Sequence, residues 1–296
     1  MFQGSIVALA TPFDADGGLD ERRLAELVEW HVDQGTHGIV PCGTTGESAT
    51  LSHGEHLRVV EICVETAAGR VPIIAGTGSN STSEAITLTR RAKEAGADAA
   101  LLIAPYYNKP TQEGLFRHHQ AIAEAVDIPQ VLYNVPGRTV VNMAPETVER
   151  LCAFDNIVAI KEATGSVAVT GEIIRRCGDR MAVISGDDFS NLGLLAMGAV
   201  AAISVTANIV PADMSAMFNV WDKHDFGRAQ ELHYQMIPLH TAMFIETSPI
   251  PVKTALAMMG RIGEQLRLPL CPIGEANREV LRETLADYGL LKERAA

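Results

Sequence analysis

Short apolar runs and amphipathic stretches alternate along this chain. The runs fall at 5–10, 38–40, 72–75, 99–104, 130–133, 157–160, 181–185 and 200–205. Each is short, uniformly apolar and bounded by glycine or polar residues, the pattern of a strand covered on both faces. Between runs the spacing turns helical: Leu57, Val60, Cys63, Val64 and Ala67 share one face. Ser52 with Glu55, and Ser81 with Glu84, stand at capping-box spacing, in which two unpaired amides at a helix start are satisfied reciprocally. Gly69, Gly96 and Gly178 stand where a left-handed terminating residue is wanted. Beyond Pro211 the pattern reads as wholly helical, punctuated by Pro249, Pro251, Pro269 and Pro272.

Eight strand-then-helix units predict an α/β fold, a closed (β/α)8 TIM barrel, because each parallel strand needs a crossover and the helices cover the outside. An open doubly wound sheet is the alternative. No serine-rich, glycine-rich or charged segment reads as a linker. Residues 1–210 are therefore expected to form the barrel, its last helix running on into the tail. Residues 211–296 are expected to form a C-terminal helical extension packed on it.

Composition narrows the partners. Lys plus Arg is 24 against Asp plus Glu 36, a net charge of −12, which disfavours nucleic acid and anionic membrane. No charge falls between Asp188 and Asp213, long enough to span a bilayer. Gly193, Gly198, Asn208 and Pro211 divide that stretch into a helix, a strand and a turn, so it reads as core. Cys42, Cys63, Cys152, Cys177 and Cys271 suggest neither a disulfide framework nor a zinc motif, and a cytoplasmic setting is expected. Met1-Phe2-Gln3-Gly4 does not open an export signal.

In such a barrel the chemistry lies at the carboxyl ends of the strands. The turns there hold Thr11 and Asp14, then Gly43-Thr44-Thr45-Gly46-Glu47 and Gly76-Thr77-Gly78, then Pro105-Tyr106-Tyr107-Asn108. Tyr133-Asn134-Val135-Pro136-Gly137-Arg138, Lys161, Gly186-Asp187-Asp188 and Thr206-Ala207-Asn208 complete the ring. This set suits Schiff-base chemistry. A desolvated lysine is neutral enough to attack a ketone, and tyrosine hydroxyls move the protons. The Gly-Thr-Thr-Gly turn can aim N–H groups at a carboxylate, and Arg138 can clamp a second one. Plainer readings stand beside these. Lys161 could mark where a strand meets water, Thr44 and Thr45 could only form a turn, Tyr106 and Tyr107 could pack a rim, and Arg138 could be a surface residue. Asp187 or Asp188 is expected to cap the following helix. His53 and His56 lie three apart on a helix, but no third ligand is evident and no metal is expected. His118 and His119 read as helix surface and boundary.

Three of these motifs, Gly43-Thr44-Thr45-Gly46-Glu47, Tyr133-Asn134-Val135-Pro136-Gly137-Arg138-Thr139 and Ile160-Lys161-Glu162-Ala163-Thr164-Gly165, resemble the class I pyruvate-dependent aldolase and lyase family. Within it they are similar to the bacterial dihydrodipicolinate synthases, and the resemblance covers essentially the whole chain. It implies a lyase joining pyruvate to L-aspartate 4-semialdehyde in diaminopimelate and lysine biosynthesis, with (4S)-4-hydroxy-2,3,4,5-tetrahydrodipicolinate as product. It implies that Lys161 forms the imine, with Tyr133 moving protons through Thr44 and a Tyr107 from a neighbouring subunit. Thr45 would hold the pyruvate carboxylate with Thr44, Arg138 would bind the semialdehyde carboxylate, and Gly186 and the Ile203 backbone would line the pocket. No cofactor or metal is implied. Ser48, Ala49, His53, His56, Gly78, Asn80, Glu84 and Tyr106 match positions that bind L-lysine as a feedback inhibitor at a subunit interface of a homotetramer built as a dimer of dimers. N-acetylneuraminate lyases and keto-deoxy sugar acid aldolases share the lysine and tyrosine. They typically show serine at the Thr44 position and lack the arginine, so the synthase is favoured. A catalytically inactive barrel serving as a binding module would have lost the amine or its relay, and those positions are all filled.

Overall fold

The computed structural model describes residues 2–291. Eight parallel strands form the sheet: β1 Gly4–Ala8, β2 Gly38–Val40, β3 Ile74–Gly76, β4 Ala99–Ile103, β5 Gln130–Asn134, β6 Ile157–Glu162, β7 Ala182–Ser185 and β8 Ala201–Ser204. Their order is β2-β1-β8-β7-β6-β5-β4-β3. The two ends meet through a parallel bridge between Ile39 and Ile73, and Gly76 N donates to the Pro41 carbonyl at 2.9 Å. The row thus curls into a barrel, and all eight apolar runs land on its strands.

Helices follow the strands around the outside: α1 Glu21–Asp33, α2 His53–Ala67, α3 Thr82–Glu94, α4 Gln112–Ala125, α5 Pro136–Thr139, α6 Pro145–Leu151, α7 Val167–Cys177 and α8 Asn191–Ala196. After β8 come α9 Pro211–Asp222, α10 Phe226–Ala242, α11 Ile250–Met258 and α12 Glu275–Asp287. α9 packs on β1 and on α10. Strand alternation divides the core. Ile6, Val40, Ile74, Leu101, Val131, Ala159, Ile184 and Ile203 fill the barrel interior, whereas Leu102, Leu132, Ile160 and Val183 face the helices. Tyr133 shares the inward parity of Val131, and Lys161 that of Ala159. The β5–β6 register sets Tyr133 directly opposite Lys161.

The Ser52–Glu55 capping box forms as expected, and Gly69, Gly96 and Gly178 take positive φ. Four expectations need correction. β6 does not stop before Lys161 but continues through Glu162, because Glu162 keeps pairing with Asn134 and Ser185. The Ser81–Glu84 box is absent: Ser81 makes no side-chain cap, and Glu84 bonds instead to Ser79 and His53. His118 and His119 are buried, because α4 is wedged between α3 and α6. The tail is not wholly helical, since 259–274 runs from α11 to α12 as turns and extended chain. Among the described residues no helix is long and apolar enough to cross a membrane, and the uncharged stretch before Asp213 folds as α8 and β8 with short turns.

Candidate active site

Lys161 emerges near the carboxyl end of β6 into a cavity of about 150 Å³ that Thr44, Thr45, Tyr133, Arg138, Gly186 and Val205 help to line. Burial lowers its amine from the ordinary 10.5 to about 7; the Asp188 carboxylate pulls it back up and Arg138 pushes it further down. Its Nζ lies 4.2 Å from the centre of the Tyr133 ring. Burial pushes the Tyr133 phenol up to about 12, opposed by the charge of Arg138 and a hydrogen bond with Thr44. An amine that sheds its proton near neutrality thus sits beside a phenol that keeps its own.

The space around the amine depends on Gly186. A Cβ there would lie 2.7 Å from Ala163 Cβ and 3.0 Å from Lys161 Cε, so any side chain would clash with Ala163 and press on the lysine. Asp188 accepts from Val205 N at 3.1 Å and Thr206 N at 2.9 Å, fixing the turn after β8. The expectation that it caps the helix after it is corrected: it caps a turn after the neighbouring strand instead. Asp187, the other candidate cap, makes no side-chain capping bond. Arg138 Nη2 donates to the Ser248 carbonyl at 3.1 Å, so the segment before α11 orients the guanidinium at the cavity wall.

A larger cavity of about 450 Å³ adjoins the first. Gly43, Thr44, Leu101, Tyr133, Arg138 and Ser248 line both. Ser48, Ala49, His53, His56, Gly78, Glu84 and Tyr106 all line the larger one. Asn80 does not; its Nδ2 donates to the Tyr106 carbonyl at 3.1 Å. Glu84 bonds His53 Nε2 at 2.8 Å, and the Ser79 hydroxyl and His53 hold its carboxyl below the usual range. His56 Nε2 donates to the Gly76 carbonyl at 2.7 Å, and burial lowers its pKa. Gly78 has a packing reason to be glycine, since a Cβ would meet Ile103 N at 2.4 Å. Among the described residues no group of three or more His, Cys, Asp or Glu is gathered that could hold a metal ion.

Besides Asn80, two expected site residues lie apart from these cavities. Tyr107 is 92% exposed, with a left-handed φ of 71°, and the Ile203 side chain packs in the barrel interior. Sequence reasoning passed over Phe244 and Ser248, which line the smaller cavity from the C-terminal region. It also gave no role to Lys253, although one lysine among the apolar residues of α11 signals a buried charge with a partner.

A closed barrel whose carboxyl strand ends hold a desolvated lysine against a tyrosine defines a (β/α)8 protein built around a buried amine. The chain belongs to the dihydrodipicolinate synthetase family, whose model matches residues 1–288. It is 59% identical over 292 residues to the 4-hydroxy-tetrahydrodipicolinate synthase of Thermodesulfovibrio yellowstonii, covering 99% of this chain and 100% of the relative. Among solved structures, a chloride-inhibited dihydrodipicolinate synthase from Acinetobacter baumannii complexed with pyruvate superposes with a TM-score of 0.97 at 52% identity, covering 98% of this chain and 100% of that one. The synthase of Cyanidioschyzon merolae with lysine bound gives 0.95 at 38% identity, covering 98% and 99%.

Proposed function

We propose that this chain condenses pyruvate with L-aspartate 4-semialdehyde to give (4S)-4-hydroxy-2,3,4,5-tetrahydrodipicolinate, the synthase reaction of diaminopimelate and lysine biosynthesis. The observation that carries the residue roles is the buried Lys161 amine, near neutral pKa, facing Tyr133 inside the barrel mouth. Neutral Nζ attacks the pyruvate ketone; water leaves and an imine forms. Loss of a methyl proton gives an enamine, whose carbon attacks the aldehyde. The semialdehyde amine then adds to the imine carbon, expels Lys161 and closes the six-membered ring. Every bond is made at a carbon activated by the lysine itself and no electrons are gained or lost, so no cofactor is called for.

Tyr133 passes protons through Thr44, Thr45 and Thr44 hold the pyruvate carboxylate, and Arg138 holds that of the semialdehyde. Gly186 and the Ile203 backbone leave room at the amine. Tyr107, outward-facing on this chain, completes the relay of a neighbouring copy in a homotetramer built as a dimer of dimers. Its strained left-handed backbone is consistent with a contact made outside this chain. The larger cavity takes L-lysine as inhibitor, with Glu84 in its wall meeting an ammonium group. The reaction supplies cytoplasmic amino-acid synthesis, in keeping with five free thiols.

The test is product formation from pyruvate with L-aspartate 4-semialdehyde, run beside pyruvate with N-acetylmannosamine. Turnover with the semialdehyde alone is expected. Turnover with the sugar alone keeps the imine and overturns the second substrate, and silence with both returns the chain to a binding module.

A further inference from the structure

Glu47 closes the turn that carries Thr44 and Thr45, and its partners come from the far end of the chain. Its side chain is 1% exposed and that of Lys253 0%, and Lys253 Nζ donates to Glu47 Oε1 at 2.5 Å. Glu47 Oε2 accepts from Arg267 N at 3.1 Å. Lys253 Nζ and the Arg267 guanidinium each lie 4.2 Å from the centre of the Phe13 ring. Arg267 also holds Glu55 and donates to the carbonyls of Thr50 at 2.9 Å and Gly17 at 2.8 Å.

An ion pair shut away from water is a poor source of stability, because desolvation cancels most of its attraction. What it supplies is a single geometry. Glu47 has φ 51°, a left-handed conformation that a glutamate keeps only when its surroundings enforce it. Its N–H donates to the Thr44 carbonyl at 3.1 Å, so the anchored carboxylate and the turn move together. The turn is pinned again where Thr11 Oγ1 donates to the Gly46 carbonyl at 2.7 Å. Arg138 is held separately, through Ser248.

We infer that Glu47, Lys253 and Arg267 are positioning residues: α11 and the strap after it hold the Thr44–Thr45 turn against Tyr133 at the place where pyruvate binds. The inference rests on the roles proposed for Thr44 and Thr45. It makes the C-terminal segment part of the pyruvate subsite without touching substrate.

The test compares the parent with Glu47→Gln/Lys253→Met, which removes both charges while leaving an oxygen for the Arg267 N–H. Replacing a buried pair by neutral groups is often close to neutral for stability, so the melting temperature should stay near that of the parent. The kcat should fall roughly tenfold or more, since small misplacements in a site cost that much, and the KM for pyruvate should rise several-fold. The KM for the semialdehyde should hardly move. Unchanged kcat and pyruvate KM overturn the inference, and so does an equal rise in both KM values. If the double variant does not fold, Glu47→Gln alone decides by the same criteria, because burial already disfavours the charged form of Lys253. Borohydride trapping of pyruvate in the parent and in Lys161→Met separates the two readings. No lysine-dependent trapping in the parent overturns the proposed function itself, whereas normal trapping with unaltered variants overturns only the positioning role.

Discussion

At Lys161, burial and the Asp188 carboxylate pull in opposite directions. The apolar barrel and Arg138 lower the amine, Asp188 raises it, and the balance falls at about 7. In the proposed mechanism the free base is the nucleophile, so kcat/KM for pyruvate should climb about tenfold per pH unit below 7 and level off above it. An ordinary lysine would keep the profile rising past pH 10, and that outcome in a pH–rate series would sink the assignment. The same shift has a stability sign. A lysine whose folded pKa lies below its unfolded value lowers stability fully below about pH 7, and the penalty fades as pH rises to 10.5. Lys161→Met should therefore be inactive yet melt at a higher temperature than the parent at pH 7, a difference that calorimetry reads directly. Arg138 gives a second prediction at this scale. Arg138→Ala loses a charge-assisted contact worth roughly 1.5–3 kcal/mol, so the KM for the semialdehyde should rise some ten- to a hundredfold with little change for pyruvate. Equal shifts would place the arginine elsewhere.

Among the elements, the turn after β7 has the least room. Gly186→Ala should push the lysine off its rotamer, destabilise by about 1–3 kcal/mol as overpacking does, and slow borohydride trapping more than it lowers the melting temperature. A variant trapped at the parent rate would mean that the turn can yield. The strands were legible because a parallel strand buried on both faces is apolar throughout. Lys161, Tyr133 and Arg138 were legible because barrel topology gathers the strand ends at one mouth. What escaped depended on competition or on distance. Glu84 sits at capping-box spacing, but Ser79 and His53 offer its carboxylate stronger partners than a helix amide. His118 and His119 look polar in sequence and are buried because α3 and α6 close over them, with Thr82 bonding His118 Nδ1 at 2.9 Å. Lys253 meets Glu47 across 206 residues, a separation at which local patterns are silent. The capping box at Ser52 did form, although the Glu55 carboxylate is shared with Arg267.

Across the whole molecule, buried histidines should set the acid limit. Burial pushes His31 and His119 down to about 3, from an ordinary 6.5. Below pH 6.5 the unfolded chain binds protons that these rings refuse until about pH 3, so stability falls as pH falls through that window. The slope is roughly 1.4 kcal/mol per pH unit for each ring. The melting temperature should drop steeply between pH 6 and 4, and His31→Phe with His119→Leu should flatten the drop; an unchanged slope would remove these rings as its cause. The common wall of the two cavities reaches further. Thr44 and Tyr133 face both, so an occupant of one chamber edits the boundary of the other, and thermodynamic linkage makes that influence mutual. Whatever factor lysine imposes on the affinity for pyruvate, pyruvate must impose on the affinity for lysine. Calorimetric titration of lysine with and without saturating pyruvate should give two dissociation constants differing by about 5- to 150-fold, the usual span of such coupling; identical constants would mean the chambers are deaf to one another. On that arithmetic a larger cavity that takes lysine as proposed would sense end product and starting material with one surface, each ligand reporting the presence of the other.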